Sequence, residues 1–83
     1  MFPLEAQVKD AAAAAVQQLI GRPPRKGDRL ISAGIIDSLS VLKLIALLED
    51  RLSISIPPDN LQPEDFDTLD LIAETVRRVG MKT

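Results

Sequence analysis

The sequence predicts an all-α fold, a four-helix bundle with three longer helices, a short third helix and a long first loop. Apolar residues recur at helical spacing in three stretches, which indicates three amphipathic helices. Proline and glycine residues fall between those stretches and mark the connections. Because typical domains hold about 100 to 200 residues, we expect the 83 residues to form one domain, residues 1–83.

The first helix is predicted to run from about Pro3 to Ile20. Proline suits the first helical turn, where its missing N–H has no partner to lose. Gly21 follows the last apolar residue and favours the left-handed conformation that commonly ends a helix. The apolar stripe of this helix comprises Leu4, Val8, Ala11, Ala12, Ala15 and Leu19.

Residues 22–36 are predicted to form the long loop, because Pro23-Pro24 cannot continue a helix and Gly27 and Gly34 interrupt the rest. Its apolar residues indicate that it packs over the core; they are Leu30, Ile31, Ile35 and Ile36. Its basic residues are Arg22, Arg25, Lys26 and Arg29. On a chain of net charge −2 they are a weak signal for nucleic acid. We interpret them as solvated, with coenzyme A, a partner protein and nucleic acid as alternative contacts.

The second helix is predicted to run from Asp37-Ser38 to about Leu52, and either residue of the pair can cap it by accepting a backbone N–H bond. At about 100° per residue, its side chains separate into two faces. The face expected to belong to the core holds Val41, Leu44, Leu48 and Leu52. The face expected to meet partners holds Leu39, Leu42, Lys43, Ala46, Glu49 and Asp50.

The connection after the second helix alternates polar and apolar residues over positions 53–56, as a strand does. Pro57-Pro58 ends that pattern, so we interpret the segment as an extended loop. Residues 63–66 are predicted to form the short third helix, with Phe66 pointing inward.

The last helix is predicted to begin at Asp67 or Thr68 and to end at Gly80. Its apolar stripe comprises Leu69, Ile72, Ala73, Val76 and Val79. A run of acids crosses its start and suggests calcium, but the spacing fails the EF-hand pattern. We expect these acids to cap and solubilise the short helix and the last helix; they are Asp65, Asp67, Asp70 and Glu74.

The residue types that the chain lacks exclude several kinds of chemistry. Without histidine there is no Ser-His-Asp triad and no imidazole metal ligand, and without cysteine there is no disulfide, thiolate nucleophile or zinc knuckle. No apolar run approaches the roughly 20 residues of a membrane helix, and the start lacks the basic region of a signal peptide. We expect a cytoplasmic, monomeric protein that is not an enzyme and binds no metal, membrane or nucleic acid.

The most informative stretch is Gly34-Ile35-Ile36-Asp37-Ser38-Leu39, in which a serine follows an acid at a predicted helix N-terminus. Taken alone, Asp37 and Ser38 are most simply a capping pair. A phosphate joined to Ser38 would instead lie at the positive end of the helix dipole, where backbone N–H groups receive anions. The second interpretation makes Ser38 a modification site.

This stretch resembles the phosphopantetheine attachment motif of acyl and peptidyl carrier proteins, which have Asp-Ser-Leu at this place. The resemblance continues along nearly the whole chain in the same order. The further segments that carry it are Val41, Leu44 and Leu48, then Glu49-Asp50-Arg51-Leu52, Ile54-Ser55-Ile56-Pro57, and Phe66-Asp67-Thr68-Leu69 with Ile72.

The resemblance implies the four-helix fold of a carrier protein and a function as a carrier rather than a catalyst. A phosphopantetheinyl transferase would move the 4′-phosphopantetheine of coenzyme A onto Ser38. Asp37 would assist at the transferase through its magnesium site, besides capping the helix. The flexible arm would then hold a substrate as a thioester and present it to downstream biosynthetic enzymes.

The second helix departs from the fatty-acid type of carrier, in which carboxylates follow the serine, because Ser40 and Lys43 stand in their places. This difference indicates a stand-alone carrier that receives an aminoacyl or small acyl group from an adenylating, ATP-dependent ligase. Two alternatives remain open: a carrier of fatty-acid or polyketide synthesis, and an unmodified helical adaptor that binds proteins through its second helix. A helix-turn-helix DNA binder is the weakest interpretation, since no helix has a basic face.

Overall fold

The computed structural model describes residues 2–59 and 61–82. In chain order these residues form helix α1 (Glu5–Ile20), helix α2 (Ser38–Leu52), strand β1 (Ile54–Ser55), a 3₁₀ turn (Pro63–Phe66), helix α3 (Leu69–Val79) and strand β2 (Met81–Lys82). Helix α1 packs against both α2 and α3. The prediction of an all-α fold with three longer helices, a short third helix and a long first loop is confirmed, and the short third helix is the 3₁₀ turn.

Helix α1 begins at Glu5, two residues later than predicted, because Leu4 has an extended backbone and caps the helix. The backbone N–H of Leu4 donates to the side-chain oxygen of Gln7 at 2.9 Å, which satisfies a donor at the helix start. The Leu4 side chain is exposed, so its assignment to the apolar stripe was wrong. Gly21 has φ +79° and ends the helix in the predicted left-handed conformation.

Helix α2 begins after Asp37, whose side chain accepts a hydrogen bond from the backbone N–H of Ser40 at 2.8 Å. Asp37 is therefore the capping residue, and Ser38 is the first residue of the helix. The face predicted to be core is confirmed for three residues, and the fourth, Leu52, is half-buried. The three buried residues are Val41, Leu44 and Leu48.

The segment that follows α2 is a strand, which corrects its interpretation as an extended loop. Ile54 pairs with Lys82 and Ser55 pairs with Met81 in a two-stranded antiparallel sheet. Both strands are two residues long, and they lie on opposite sides of α3 in the sequence. No periodic pattern can develop over two residues, so the alternation at 53–56 could not reveal the partner strand.

Helix α3 is capped by Thr68, whose hydroxyl accepts from the backbone N–H of Leu71 at 3.0 Å. It ends at Gly80, as predicted, but with φ −68° rather than a left-handed backbone. A side chain at Gly80 would place its Cβ 2.5 Å from the carbonyl oxygen of Val76 and 3.1 Å from the Phe2 ring. Glycine is therefore required here by close approach of the chain.

The core gathers side chains from all three helices, the sheet and the long loop. Within the loop, Leu30 and Ile36 are buried, while Ile31 and Ile35 are half-buried, which confirms that the loop packs over the core. The buried apolar residues are Val8, Ala12, Ala15, Val16, Leu30, Ile36, Val41, Leu44, Leu48, Ile54, Ile56, Phe66, Ile72, Ala73 and Val76.

The acids at the start of α3 have different roles from one another. Asp65 accepts from the backbone N–H of Gln62 at 2.9 Å and so supports the 3₁₀ turn, as expected of a capping acid. Asp70 forms an exposed ion pair with Lys9. Asp67 neither solubilises the helix nor caps it, because its side chain is buried and hydrogen-bonded to the long loop.

Truncating a side chain on the buried face of α2 should lower stability, whereas truncating one on the exposed face should hardly change it. Leu48 is fully buried, so Leu48→Ala should lower the free energy of unfolding by about 2–5 kcal/mol. Leu39 is 78% exposed, so Leu39→Ala should change it by no more than about 0.5 kcal/mol. Urea unfolding followed by circular dichroism measures both, and equal losses would show that the two faces are wrongly assigned.

Candidate functional site

Ser38 is exposed and is the first residue of α2. Among the described residues 2–59 and 61–82, none forms a hydrogen bond with its hydroxyl. Within that part of the chain, Ser38 is thus a free nucleophile without a base to activate it. A reaction at this oxygen needs a base from another protein.

The carboxylate of Asp37 is exposed and lies next to Ser38 in the chain. The backbone N–H of Ser40 is the main cause that holds the pKa of the Asp37 carboxyl below its usual range, and the Ser40 hydroxyl and the charge of Lys43 act in the same direction. Asp37 is therefore ionised at neutral pH. It presents a fixed negative charge beside the serine, which is the charge that a partner's divalent cation would require.

The face of α2 that the sequence assigned to partners is largely exposed. Leu39 and Leu42 are 78% and 63% exposed, and they are two of the four large apolar side chains that are exposed among the described residues. We call the exposed residues the α2 face; they are Leu39, Leu42, Lys43, Ala46 and Asp50. Glu49 differs, because it is half-buried and its Oε2 accepts from the backbone N–H of Ile56 at 2.9 Å.

A shallow groove of about 160 Å³ adjoins Ser38 and continues the apolar surface of the α2 face. It separates α2 from the segment that leads into the 3₁₀ turn. Its lining is mainly apolar and comprises Ser38, Val41, Leu42, Ile45, Pro58, Leu61, Gln62, Pro63 and Phe66. The sequence analysis missed this groove, although the inward position predicted for Phe66 is confirmed.

Two of the four basic side chains in the long loop form ion pairs that hold the loop in place. Arg22 pairs with Asp28 at 3.2 Å, and the backbone N–H of Arg25 donates to the same carboxylate at 2.8 Å. Arg29 donates to Asp67. Within the described part of the chain, the side chains of Arg25 and Lys26 have no ion-pair partner. These two charges remain available to a partner, but the site around Ser38 does not contain them.

The described residues contain no group of three or more acids that could hold a metal ion. Among the same residues, no helix is long and apolar enough to cross a membrane.

Comparison with known proteins identifies relatives of this site. The family model described as the phosphopantetheine attachment site matches residues 10–76, a range that includes Asp37, Ser38 and the α2 face. The D-alanyl carrier protein of Streptococcus uberis is 35% identical over 54 residues, which cover 65% of this chain and 68% of the relative. No solved structure matches.

A D-alanyl carrier protein of Lactococcus lactis subsp. cremoris is 40% identical over 48 residues, which cover 58% of this chain and 61% of the relative. The chain thus spans somewhat under two thirds of that relative's length. The family model, in contrast, covers most of the chain, from the middle of α1 nearly to the end of α3. The chain therefore belongs to the phosphopantetheine attachment site family and is a carrier, not an enzyme, with a covalently attached 4′-phosphopantetheine.

Proposed function

We propose that Ser38 bears the 4′-phosphopantetheine and that Asp37 supports its attachment. The observation that carries this proposal is the free, exposed hydroxyl of Ser38 at the N-terminus of α2, next to an ionised carboxylate. The phosphate of the arm would lie at the positive end of the helix dipole, which favours an anion. The resulting product is thus stabilised by the helix that presents the serine.

In the attachment step, the only group of this chain that would form a new bond is the Ser38 hydroxyl. The Ser38 oxygen would attack the phosphorus of coenzyme A that carries pantetheine, form a phosphodiester and release adenosine 3′,5′-bisphosphate. The proton of the hydroxyl would pass to a base of the phosphopantetheinyl transferase, because none lies at hydrogen-bond distance in the described chain. Asp37 would contribute its negative charge to the transferase's magnesium site.

The cargo that we propose is an aminoacyl group or another small acyl group, held as a thioester on the arm. A ligase would first join the carboxylate of the cargo to AMP with release of pyrophosphate from ATP. The thiol of the arm would then displace AMP. Two observations support this class of cargo: the relatives are D-alanyl carrier proteins, and the α2 face has Lys43 where carriers of fatty-acid synthesis have acids.

The α2 face is the surface that we propose for the ligase, the transferase and the downstream enzymes. Exposed apolar anchors that lie among charges suit transient binding, since the anchors provide affinity and the charges provide register and on-rate. Leu39 and Leu42 are the anchors, and Lys43 and Asp50 are the charges. Because coenzyme A and ATP are intracellular, we place the carrier in the cytoplasm.

The attachment of the arm to Ser38 can be tested by intact mass. Incubated with coenzyme A and a broad-specificity transferase, the protein should gain one phosphopantetheine, and Ser38→Ala should gain none. Because the Ser38 hydroxyl makes no hydrogen bond with residues 2–59 or 61–82, the Ser38→Ala variant should differ in stability by no more than about 0.5 kcal/mol.

Ser55→Ala is the control, because Ser55 lies in β1, outside the site around Ser38, and its replacement should leave the modification intact. If several transferases leave the wild-type protein unmodified, the carrier function is wrong and the unmodified adaptor takes its place. Modification of Ser38→Ala would place the arm on another residue.

The charge of Lys43 should govern loading of the holo-protein. With a D-alanine-adenylating ligase, Lys43→Glu should lower the kcat/KM for loading by about fivefold at low salt, as the loss of one exposed charge pair would. The difference should shrink as salt rises, because charges more than about 10 Å apart are screened at 0.1 M ionic strength. Radiolabelled D-alanine bound to the protein measures the rate.

Lys26→Glu is the control for a charge reversal outside the α2 face. A loss confined to Lys26→Glu would move the docking surface to the long loop. Malonylation of the holo-protein by the transferase of fatty-acid synthesis, as fast as that of a fatty-acid carrier, would contradict the proposed cargo.

A further inference from the structure

Asp67 is the one charged side chain that is buried among residues 2–59 and 61–82, with 5% of its surface exposed. It lies between the 3₁₀ turn and α3, outside the site described above. A buried carboxylate is costly unless its oxygens accept hydrogen bonds. The donors that satisfy Asp67 therefore show which part of the molecule it holds.

Four donors within the described part of the chain satisfy the Asp67 carboxylate, and all four belong to the long loop. Oδ1 accepts from the backbone N–H groups of Ile31 at 2.9 Å and Ser32 at 2.8 Å. Oδ2 accepts from the Ser32 hydroxyl at 2.8 Å and from the Arg29 guanidinium at 3.4 Å. The Asp67 carboxylate thus binds residues 29–32, which lie 35 to 38 positions before it in the chain.

Two backbone hydrogen bonds extend this contact to the start of α2. The N–H of Leu30 donates to the carbonyl oxygen of Asp67 at 2.6 Å, and the carbonyl oxygen of Leu30 accepts from the N–H of Ile36 at 2.8 Å. Leu30 and Ile36 are both buried. Ile36 immediately precedes the cap Asp37, so Asp67 is connected to Ser38 by a short, buried path.

Among the described residues, the other contacts of this segment are backbone hydrogen bonds and the burial of Leu30 and Ile36. Residues 33–36 reverse direction through Gly34, whose φ is +73°, and their side chains are exposed until Ile35. A free loop gains conformational entropy, which favours release once its contacts are lost. Removal of the Asp67 contacts would therefore allow Ile36 and the first turn of α2 to leave their positions.

We propose that Asp67 is a positioning residue for the Ser38 attachment site. This proposal rests on the proposed function, in which Ser38 receives the arm. Asp67 does not touch Ser38 and takes no part in the chemistry. It keeps residues 29–36 in the one arrangement that presents the start of α2 to the transferase.

The expected consequence is a change in apparent affinity rather than in the chemical step. When only a fraction of molecules is competent to bind, the apparent dissociation constant rises by the reciprocal of that fraction. Once the complex has formed, the bound carrier has the same geometry. Loss of the anchor should therefore raise the KM of the transferase for the carrier and leave kcat nearly unchanged.

Two variants separate the hydrogen bonds from the charge. Asp67→Ala removes every side-chain acceptor. Asp67→Asn retains Oδ1 for the N–H groups of Ile31 and Ser32, and its amide can donate to the Ser32 hydroxyl, so it should largely rescue the function. Ile72→Val is the matched control, because it truncates a buried residue of α3 that makes no contact with this path in the hydrogen-bond network.

The experiment measures transferase kinetics and amide hydrogen exchange with each variant well below its unfolding midpoint. Asp67→Ala should raise KM about tenfold, with kcat unchanged within a factor of about two. Its Leu30 and Ile36 amides should exchange faster, while those of α1 remain protected. Ile72→Val should stay close to the wild-type protein in both measurements, and Asp67→Asn should lie much nearer to the wild-type protein than Asp67→Ala does.

A wild-type KM together with wild-type protection of Ile36 in Asp67→Ala would overturn the proposal. An equal rise of KM in Ile72→Val would also overturn it, because Asp67 would then act only through global stability. If the wild-type protein is never modified, the proposed function fails. In that event, the amide hydrogen exchange of Ile36 and Ser40 in Asp67→Ala still decides whether Asp67 holds the start of α2.

Discussion

The structure depends on one buried carboxylate. A chain of 83 residues has a small core, and a loop of 15 residues, 22–36, has few ways to be held on it. Asp67 provides the attachment, because a charge in this position must be satisfied and, among the residues that the structure describes, the loop supplies every donor. The fixed loop then delivers Ile36 to the core and Asp37 to the helix start. Phe66, the neighbour of Asp67, lines the groove beside Ser38.

The sequence predicted the features that local rules control. Periodicity and caps placed α1 and α2 to within two residues, and the helical angle separated the buried Leu48 from the exposed Leu39. It missed the features that depend on distant contacts. The role of Asp67 requires its loop partners to be known, and Glu49 turns toward the backbone of Ile56, which no angular rule anticipates. The sequence also did not predict the β1–β2 pair, because its two strands are distant from each other in the chain.

A carrier has to combine a fixed attachment point with a mobile arm, and the two faces of α2 divide this work. The buried face fixes the helix in the core through Leu44 and Leu48. The opposite face leaves Leu39 and Leu42 in water, where exposed apolar groups mark binding surfaces. Ser38 lies where the two requirements meet, because its helix is anchored while its hydroxyl remains free. The family match and the geometry therefore point to the same helix.

The central claim, that the ionised Asp67 carboxylate holds the loop, has a direct test in the pH dependence of stability. The backbone N–H and hydroxyl of Ser32 are the main causes that keep the pKa of Asp67 below its usual value of about 3.9, and they outweigh the opposing effect of burial. The stability that the Asp67 carboxylate contributes is present at pH values above the usual pKa. It is lost as the pH falls through the lowered pKa of the folded state. Urea unfolding of the wild-type protein and Asp67→Asn from pH 7 to pH 3 measures the contribution. We predict a constant advantage of the wild-type protein above about pH 5 that shrinks as the pH falls further; an advantage that is absent at neutral pH, or unchanged in acid, would contradict the account.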